Sequence, residues 1–461
     1  MSFYPVLFQS AGLMPGDLGD ARFINYVLEH SYLYLKGVEI HSSFWDMPFF
    51  YPYKNTLAFS DILLGGMIIY IPIRFFTNSP ETTLQIWLFV VYFLNFISFY
   101  FLSSKIFKFP TLISSLSAFL FTFSLPRHAQ VYHLQLQLQF FTIFGLVCFL
   151  SLKKENSKFK NNILLLSASI MFVMQLYTSF YLGWYVVWGL FWIVIIFLFS
   201  KKLKEKMFNF LSFFKKEILI YLILSLILLI PLIKHYLAVG AAFLYEDENL
   251  LNLSFLFKSQ SVLDIILNLH HDLFNCEIFI GIGYITTIFM ISGLITSKYK
   301  NIIIAFLFFT SIFFLTDFTH KIIYFIFPGA SAIRAVNRII FLYLPIFIYL
   351  IGYYITQFKN LLFTCVAVFL ILIEQIPYFH NFEWTKKEHR ARLEKYTIPN
   401  ECKIVSYKLK KKHISLFVLY NLDIMWIASN KNVYTTNGYS GYMPYKNNTN
   451  NLLGCVFEIK N

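Results

Sequence analysis

Residues 182–199 read LGWYVVWGLFWIVIIFLF, and the lysine-rich segment KKLKEK follows at residues 201–206. An apolar run of this length is sufficient to cross about 30 Å of hydrocarbon as a helix. Lysines directly after such a run are typical of the cytoplasmic end of a membrane-spanning helix. The stretch therefore predicts a helix that spans a membrane and ends on the cytoplasmic side.

The rest of the chain repeats this pattern. Of the 461 residues, 58% are hydrophobic and 13% are charged, whereas soluble domains are about a quarter charged. This composition excludes a soluble enzyme, a disordered chain and a coiled coil. We predict an all-α polytopic membrane protein with about ten spans: Leu84–Leu102, Pro110–Leu125, Leu136–Leu152, Ile163–Leu176, Leu182–Phe199, Ile218–Ile233, Ile278–Ile295, Ile302–Leu315, Ile339–Tyr354 and Leu361–Ile376.

The distribution of lysines predicts the orientation. The short loops at residues 153–160 and 201–216 are rich in lysine and are therefore placed in the cytoplasm. Ten spans then put residues 1–83 outside as a large loop, in which Ile62–Phe76 is a helix that does not span. They also put residues 378–461 outside, as a small α/β tail after the bundle of residues 84–377. The net charge of +14 is explained by these lysines, so no nucleic-acid partner is predicted.

The tail is the one segment with strand patterns. Residues 403–407 (KIVSY) and 432–436 (NVYTT) are typical of strands, and Leu416–Ala428 between them is typical of a helix. This order predicts a small βαβ-like unit, which we expect to rest on the membrane part.

In this topology all the arginines lie outside. Arginine suits bidentate recognition of phosphate better than lysine does. A functional interpretation and a chance distribution of so few residues remain equally open. The arginines are Arg22, Arg74, Arg127, Arg334, Arg338, Arg390 and Arg392. The cysteines, in contrast, form no CxxC pair and no cluster with histidine, which argues against a cysteine metal site.

The first candidate site is the sequence GDLGD at residues 16–20. Asp20 is predicted to cap a helix that starts at Ala21, and Glu29 lies on the polar face of that helix. Asp17 and Asp20 could hold a divalent metal or supply a general base. A capping residue and a solvated helix face are the alternative, which the spacing alone favours.

Three further stretches place polar groups next to predicted spans. Residues 44–61 (FWDMPFFYPYKNTLAFSD) form either an interfacial aromatic segment or a loop that turns Asp46 or Asp61 into a cavity. Polar residues at residues 126–139, with Arg127 and His133 among them, face either a cavity or a neighbouring helix. Arg334 and Arg338, four residues apart before a span, suit a clamp on a lipid phosphate, with snorkelling as the alternative.

The order of these motifs resembles a known family. GDLGD, the stretch at residues 44–61, a Pro-Gly pair followed by two arginines, and the tail motif NGYSGYMP at residues 437–444 together resemble bacterial membrane proteins of the YfhO-like group, within the GT-C glycosyltransferase superfamily. The resemblance covers nearly the whole chain. Members of the superfamily begin with a membrane helix before the acidic loop, and residues 1–12 correspond at most to the end of such a helix.

The resemblance implies a GT-C helical bundle whose first outer loop carries a catalytic acid. It implies a glycosyltransferase in the bacterial inner membrane that moves a sugar from a polyprenyl-phosphate donor to a lipid, glycan or protein on the outer face. Asp20 corresponds best to the catalytic acid, with Asp17 as its neighbour and Asp61 at the end of the same loop. Arg334 and Arg338 would contact the donor phosphate, and Arg127, His133 and Glu29 are further candidates for substrate binding.

Two other function classes remain open. A transporter or lipid flippase is disfavoured because no inverted repeat is visible and the ionisable residues lie at one face of the membrane. A non-catalytic protein that keeps the fold is the third possibility. The sequence does not identify the donor sugar, the acceptor or a metal requirement.

Overall fold

The structure is a computed structural model that describes residues 12–240, 281–333, 335–377, 384–409, 414–444 and 455–459. These residues form a mostly helical chain with several apolar helices, as the sequence predicts. The helices are α1 Asp20–Leu35, α2 Leu64–Phe75, α3 Pro80–Phe101, α4 Thr111–Phe123, α5 Leu125–Ala129, α6 Phe140–Leu150, α7 Lys158–Thr178, α8 Phe180–Phe199, α9 Lys201–Phe213, α10 Lys215–Gly240, α11 Tyr284–Thr296, α12 Lys300–Ser311, α13 Asp317–Ile326, α14 Ile340–Ile355, α15 Leu361–Glu374, α16 Lys386–Leu393 and α17 Ile414–Asn430.

Within the described ranges, five helices are long and apolar enough to cross a membrane. They are α3, α7, α8, α10 and α14 with the short turn before it. A sixth is possible if α12 and α13, which meet at a bend of 93°, form one broken span. Other predicted spans form shorter helices, such as the 13-residue α4, so the count of ten stays a prediction. At 12 residues, α2 is about 18 Å long, and its assignment as a helix that does not span likewise stays a prediction.

Glu374, the last residue of α15, connects α15 to the start of α11. Its carboxylate accepts hydrogen bonds from the backbone N–H groups of Ile285 and Thr286, at 2.6 and 2.7 Å, in the first turn of α11. A carboxylate at this position satisfies N–H groups that have no partner in the helix and complements the helix dipole. This acid therefore has a structural role.

The tail contains a parallel three-stranded sheet. Its strands are β3 Ile404–Leu409, β4 Tyr434–Thr435 and β5 Cys455–Ile459, in the order β4-β3-β5. The predicted strands at residues 403–407 and 432–436 correspond to β3 and β4, with α17 between them. The sequence did not indicate β5, which a disulfide between Cys402 and Cys455 joins to the start of β3.

The tail packs on the N-terminal segment. Strand β1, Leu13–Met14, pairs antiparallel with β2, Trp384–Thr385. The Asp423 carboxylate on α17 accepts a hydrogen bond from Arg22 on α1 at 2.8 Å and another from Arg392 at 2.7 Å. These contacts bring the NGYSGYMP segment against residues 20–61, where the candidate site lies.

Candidate functional site

A cavity of about 690 Å³ lies where the N-terminal segment, the tail and the starts of α8 and α14 meet. We call it the site cavity. Polar and aromatic side chains from these four parts, from residues 133–135 and from the end of α10 line it. Its lining includes Asp20, Phe59, Asp61, His133, Gln135, Phe180, Tyr181, Tyr236, Arg338, Tyr439 and Tyr442.

Asp20 lies in the wall of the site cavity. Its Oδ2 is 2.9 Å from Nδ1 of His133, and its Oδ1 accepts a hydrogen bond from the Tyr439 hydroxyl. Burial opposes ionisation, but these two hydrogen bonds and the charges of His133 and Arg338 outweigh it and lower the pKa of Asp20. The carboxylate is therefore ionised at neutral pH, and its side chain stays 32% exposed.

The N-cap of the first helix is Gly19, and the Asp17 side chain, not that of Asp20, accepts a hydrogen bond from its first turn. Helix α1 begins at Asp20 itself, and Oδ1 of Asp17 accepts a hydrogen bond from the Ala21 N–H at 3.0 Å. The prediction that Asp20 caps a helix from Ala21 is wrong, because Asp20 is already the first residue of α1 and Gly19 is its N-cap. Burial raises the pKa of Asp17 to about 6, against the Ala21 hydrogen bond. Helix capping therefore does not explain the position of Asp20.

Asp61 lies in the same cavity in a different environment. Its Oδ1 accepts a hydrogen bond from the Phe180 N–H at 2.6 Å, at the start of α8. Burial raises the pKa of Asp61 to about 6, opposed by this hydrogen bond and by Arg338 and His133. Asp46, the other acid of this stretch, accepts a hydrogen bond from the Asn55 N–H at 2.7 Å. It therefore stabilises the loop at residues 44–61.

Arg338 supplies the positive charge of the site cavity. Its guanidinium lies 4.7 Å from the ring centroid of Tyr181, a geometry that orients a guanidinium by cation–π attraction. Within the described ranges, no carboxylate forms an ion pair with it. Arg334, its predicted partner in a phosphate clamp, lies outside the described residues.

Two predicted binding residues lie away from the cavity. Glu29 forms a buried ion pair with Arg74, Oε2 to Nε at 2.9 Å, so the helix face that carries it is not solvated. Arg127 is fully buried and donates to the carbonyl of Leu136 at 3.2 Å. Its guanidinium also lies over the Phe121 ring. Both residues support the fold around the site, and neither lines the site cavity.

The acids at residues 17 and 20 do not belong to a set of metal ligands among the described residues. Both oxygens of Asp20 and one oxygen of Asp17 are already hydrogen-bonded. In the part of the chain that the structure describes, no three His, Cys, Asp or Glu side chains group together as metal ligands. We therefore derive no catalytic step through a metal at this position.

Tyr439 is a site residue that no single motif of the sequence predicts. The tail motif carries it, and Gly438 before it lies against Phe50, whose Cδ1 would be only 2.5 Å from a Cβ at that position. A glycine is therefore needed for this approach. The Gly-Tyr repeat of NGYSGYMP was the available signal, because Tyr439 and Tyr442 both line the site cavity.

No protein-family model and no curated protein matches this sequence. Among solved structures, the chain is similar to the oligosaccharyltransferase of Archaeoglobus fulgidus in its apo form, with 13% identity, a TM-score of 0.46, and coverage of 98% of this chain and 64% of that one. The same enzyme tethered to an acceptor peptide with the NVT sequon gives 13% identity, a TM-score of 0.48, and coverage of 96% and 63%. The archaeal enzyme AglB in complex with an inhibitory peptide and a dolichol-phosphate gives 14%, 0.45, and 95% and 63%. The chain thus spans less than two thirds of these proteins, and likeness of this degree does not assign an activity.

Proposed function

We propose that this protein is a membrane glycosyltransferase of the GT-C type, which moves a sugar from a polyprenyl-phosphate donor to a lipid, glycan or protein acceptor on the outer face of the bacterial inner membrane. One observation carries the proposal. An ionised carboxylate, Asp20, and a guanidinium that pairs with no carboxylate of the described residues, Arg338, line the same cavity of about 690 Å³.

The two groups suit the two halves of an inverting transfer. The acceptor hydroxyl attacks the anomeric carbon of the donor, and a new C–O bond forms there. The bond from that carbon to the phosphate oxygen breaks, and its electron pair leaves with the phosphate. Asp20 takes the hydroxyl proton, as a general base with a positioned carboxylate does. Arg338 meets the charge that develops on the departing phosphate.

His133 and Tyr439 position the base. Each holds one oxygen of Asp20, so the carboxylate has a fixed orientation in the cavity wall. Acceptance of the proton by Asp20 is then accompanied by weakening of two charge-assisted hydrogen bonds. The ring of Tyr181 orients the guanidinium of Arg338 by a cation–π contact.

The surrounding helices suit a membrane setting. Five helices in the described ranges are long and apolar enough to cross, and the site cavity lies at the ends of α8 and α14 remote from the lysines that follow α8. By the positive-inside rule this end faces outward. A lipid-linked donor can therefore reach the site from the outer leaflet without a nucleotide-binding site.

Reconstitution tests this proposal. The purified protein is placed in liposomes with polyprenyl phosphates that carry a radiolabelled sugar, and label is followed into lipid, glycan and peptide acceptors. We expect label to leave the donor lipid only in liposomes that contain the protein. Movement of intact donor across the bilayer, with no transfer of sugar, would instead identify a flippase.

A further inference from the structure

A second cavity, of about 970 Å³, lies at the opposite end of the same helices. We call it the lysine cavity, because Lys108 and Lys298 are its charged lining residues. On α8 it is lined by Phe197, whereas the site cavity is lined by Phe180. These positions are about 25 Å apart along a helix. The lysine cavity is therefore separate from the proposed active site.

Most of the lysine cavity is apolar. Side chains of α6, α8, α12 and α14 form its walls, among them Leu146, Ile196, Phe306 and Ile346. Tyr349 and Tyr353 of α14 add two rings with polar ends. Such a space accepts acyl chains, since it offers little hydrogen bonding to a polar ligand.

The charged residues of the lysine cavity lie at its entrance from the protein surface. Lys108 and Lys298 are both exposed, and they come from two loops far apart in sequence. In the described part of the chain, no Asp or Glu lines this cavity. The cavity therefore combines an apolar interior with a purely positive entrance, which matches a lipid with an anionic headgroup.

The backbone beside the entrance is unusual. The end of α3 continues as a π-helix over Leu102–Ile106, and Lys108 has φ of +60°. π-Helices and left-handed conformations in residues other than glycine are rare and occur often at functional sites. The π-helix and the left-handed backbone of Lys108 shape the wall formed by residues 102–109, and they place Lys108 at the cavity entrance.

We propose that the lysine cavity binds an anionic phospholipid of the cytoplasmic leaflet. The phosphate lies between Lys108 and Lys298, and the acyl chains lie between α6, α8, α12 and α14. In the predicted order of spans, Lys108 follows the first span and Lys298 follows the seventh, so both fall on the cytoplasmic side, and the site lies in the inner leaflet. The site does not depend on the proposed activity, because none of its residues lines the site cavity.

Lipid binding to the detergent-purified full chain tests the proposal. The probes are phosphatidylglycerol and phosphatidylcholine with identical acyl chains, titrated in native mass spectrometry and in thermal unfolding. The variant Lys108→Gln/Lys298→Gln removes both charges, and Gln keeps much of the side-chain length. The matched control Lys105→Gln/Lys300→Gln removes two exposed lysines nearby that do not line the cavity.

We expect the wild type and the control to bind phosphatidylglycerol more tightly than phosphatidylcholine. The test variant should bind phosphatidylglycerol about 10- to 30-fold more weakly, which is the loss expected for two lysines at an anionic headgroup. Unchanged phosphatidylglycerol binding by the test variant, or equal binding of both lipids by the wild type, would overturn the proposal. Native mass spectrometry counts bound lipid directly, so the result does not depend on the variant's melting temperature.

Discussion

At the scale of single residues, the two carboxylates of the site cavity have pKa values shifted in opposite directions. His133 and Tyr439 lower the pKa of Asp20, while burial raises the pKa of Asp61 to about 6. Pairs of acids whose environments separate their pKa values are a common basis for distinct catalytic roles. Asp20 is thus ionised throughout the neutral range, whereas Asp61 changes its charge just below it.

The pKa of Asp61 makes stability depend on pH in a defined sense. Because the pKa rises from the usual 3.8 to about 6 on folding, the stability associated with this group is fully present below pH 4. It is lost as the pH rises through 6. Asp61→Asn stays neutral and can still accept the Phe180 N–H bond. Its unfolding free energy relative to wild type should therefore improve by up to about 3 kcal/mol between pH 4 and pH 7.5. Denaturant unfolding at both pH values measures this change, and a constant difference would contradict it.

Arg338 should determine the affinity for polyprenyl phosphate. Charge-assisted contacts to a phosphate contribute about 1.5–3 kcal/mol, so Arg338→Ala should weaken binding about 10- to 100-fold. Arg338→Lys should recover little, because the planar fork is lost. Arg390→Ala is the control, since Arg390 is an exposed arginine of α16. Equilibrium binding of a fluorescent polyprenyl phosphate measures all three variants, and wild-type affinity in both Arg338 variants would remove the phosphate contact.

The acidic motif was visible in the sequence, but the roles of its members were not. Spacing indicated a helix start at GDLGD and assigned the cap to Asp20. In the structure the N-cap is Gly19 and Asp17 accepts the hydrogen bond from Ala21, whereas the partners of Asp20 come from distant segments. Tyr439, for instance, is 419 residues away along the chain. The role of Glu29 was likewise not predictable, because the polar face of one helix does not indicate that Glu29 pairs with Arg74 on another helix.

At the scale of elements, the fully buried Arg22 joins the first helix to the tail. Its guanidinium and that of Arg392 both donate to the carboxylate of Asp423. Removal of one partner from a buried ion pair leaves an uncompensated charge and costs about 3–5 kcal/mol. The network therefore holds the tail, and Tyr439 with it, against α1.

Asp423→Ala should accordingly loosen this junction. We expect a destabilisation of about 3–5 kcal/mol and faster hydrogen exchange in α1 and α17, which hydrogen-exchange mass spectrometry would detect. The control is Lys321→Ala, which removes an exposed i,i+4 pair with Asp317 and should cost no more than about 0.5 kcal/mol. Equal effects of the two substitutions would show that the junction does not depend on the buried pair.

Local sequence patterns predicted the helices and strands of the tail better than they predicted which strands pair with each other. The β-branched runs at residues 403–407 and 432–436 and the helix between them were readable, and β3 and β4 do pair in parallel. β5 was missed because its pairing with β3 and the disulfide from Cys455 to Cys402 join segments 53 residues apart. Long-range contacts of this kind leave no periodic signal in a single sequence.

At the scale of the whole molecule, the proposed function requires the N-terminal segment and the tail to lie on one side of the membrane. They already form one unit, since β1 pairs with β2 and Arg22 pairs with Asp423. The lysine distribution predicts that this side is the exterior. The number of spans follows less directly from composition, because apolar runs form helices of very different lengths here.

Cysteine labelling tests this topology. With Cys148, Cys276 and Cys365 replaced by serine, Lys54→Cys and Lys431→Cys should react with an impermeant maleimide in intact cells. Lys202→Cys should react only after permeabilisation. All three positions are exposed in the structure. The reverse pattern, or labelling of Lys54→Cys and Lys431→Cys on opposite sides, would show that the orientation is wrong.

The central claim is that Asp20 is the base of a glycosyl transfer, and the rate of sugar transfer by Asp20→Asn tests it most directly. The substitution keeps the size of the side chain and removes its ability to take a proton. Asp317→Asn, an exposed acid of α13, is the matched control. With wild-type folding verified by thermal unfolding, we predict a fall in transfer rate of about 100-fold or more for Asp20→Asn, and a wild-type rate for the control. A folded Asp20→Asn variant that transfers sugar at the wild-type rate would contradict the claim.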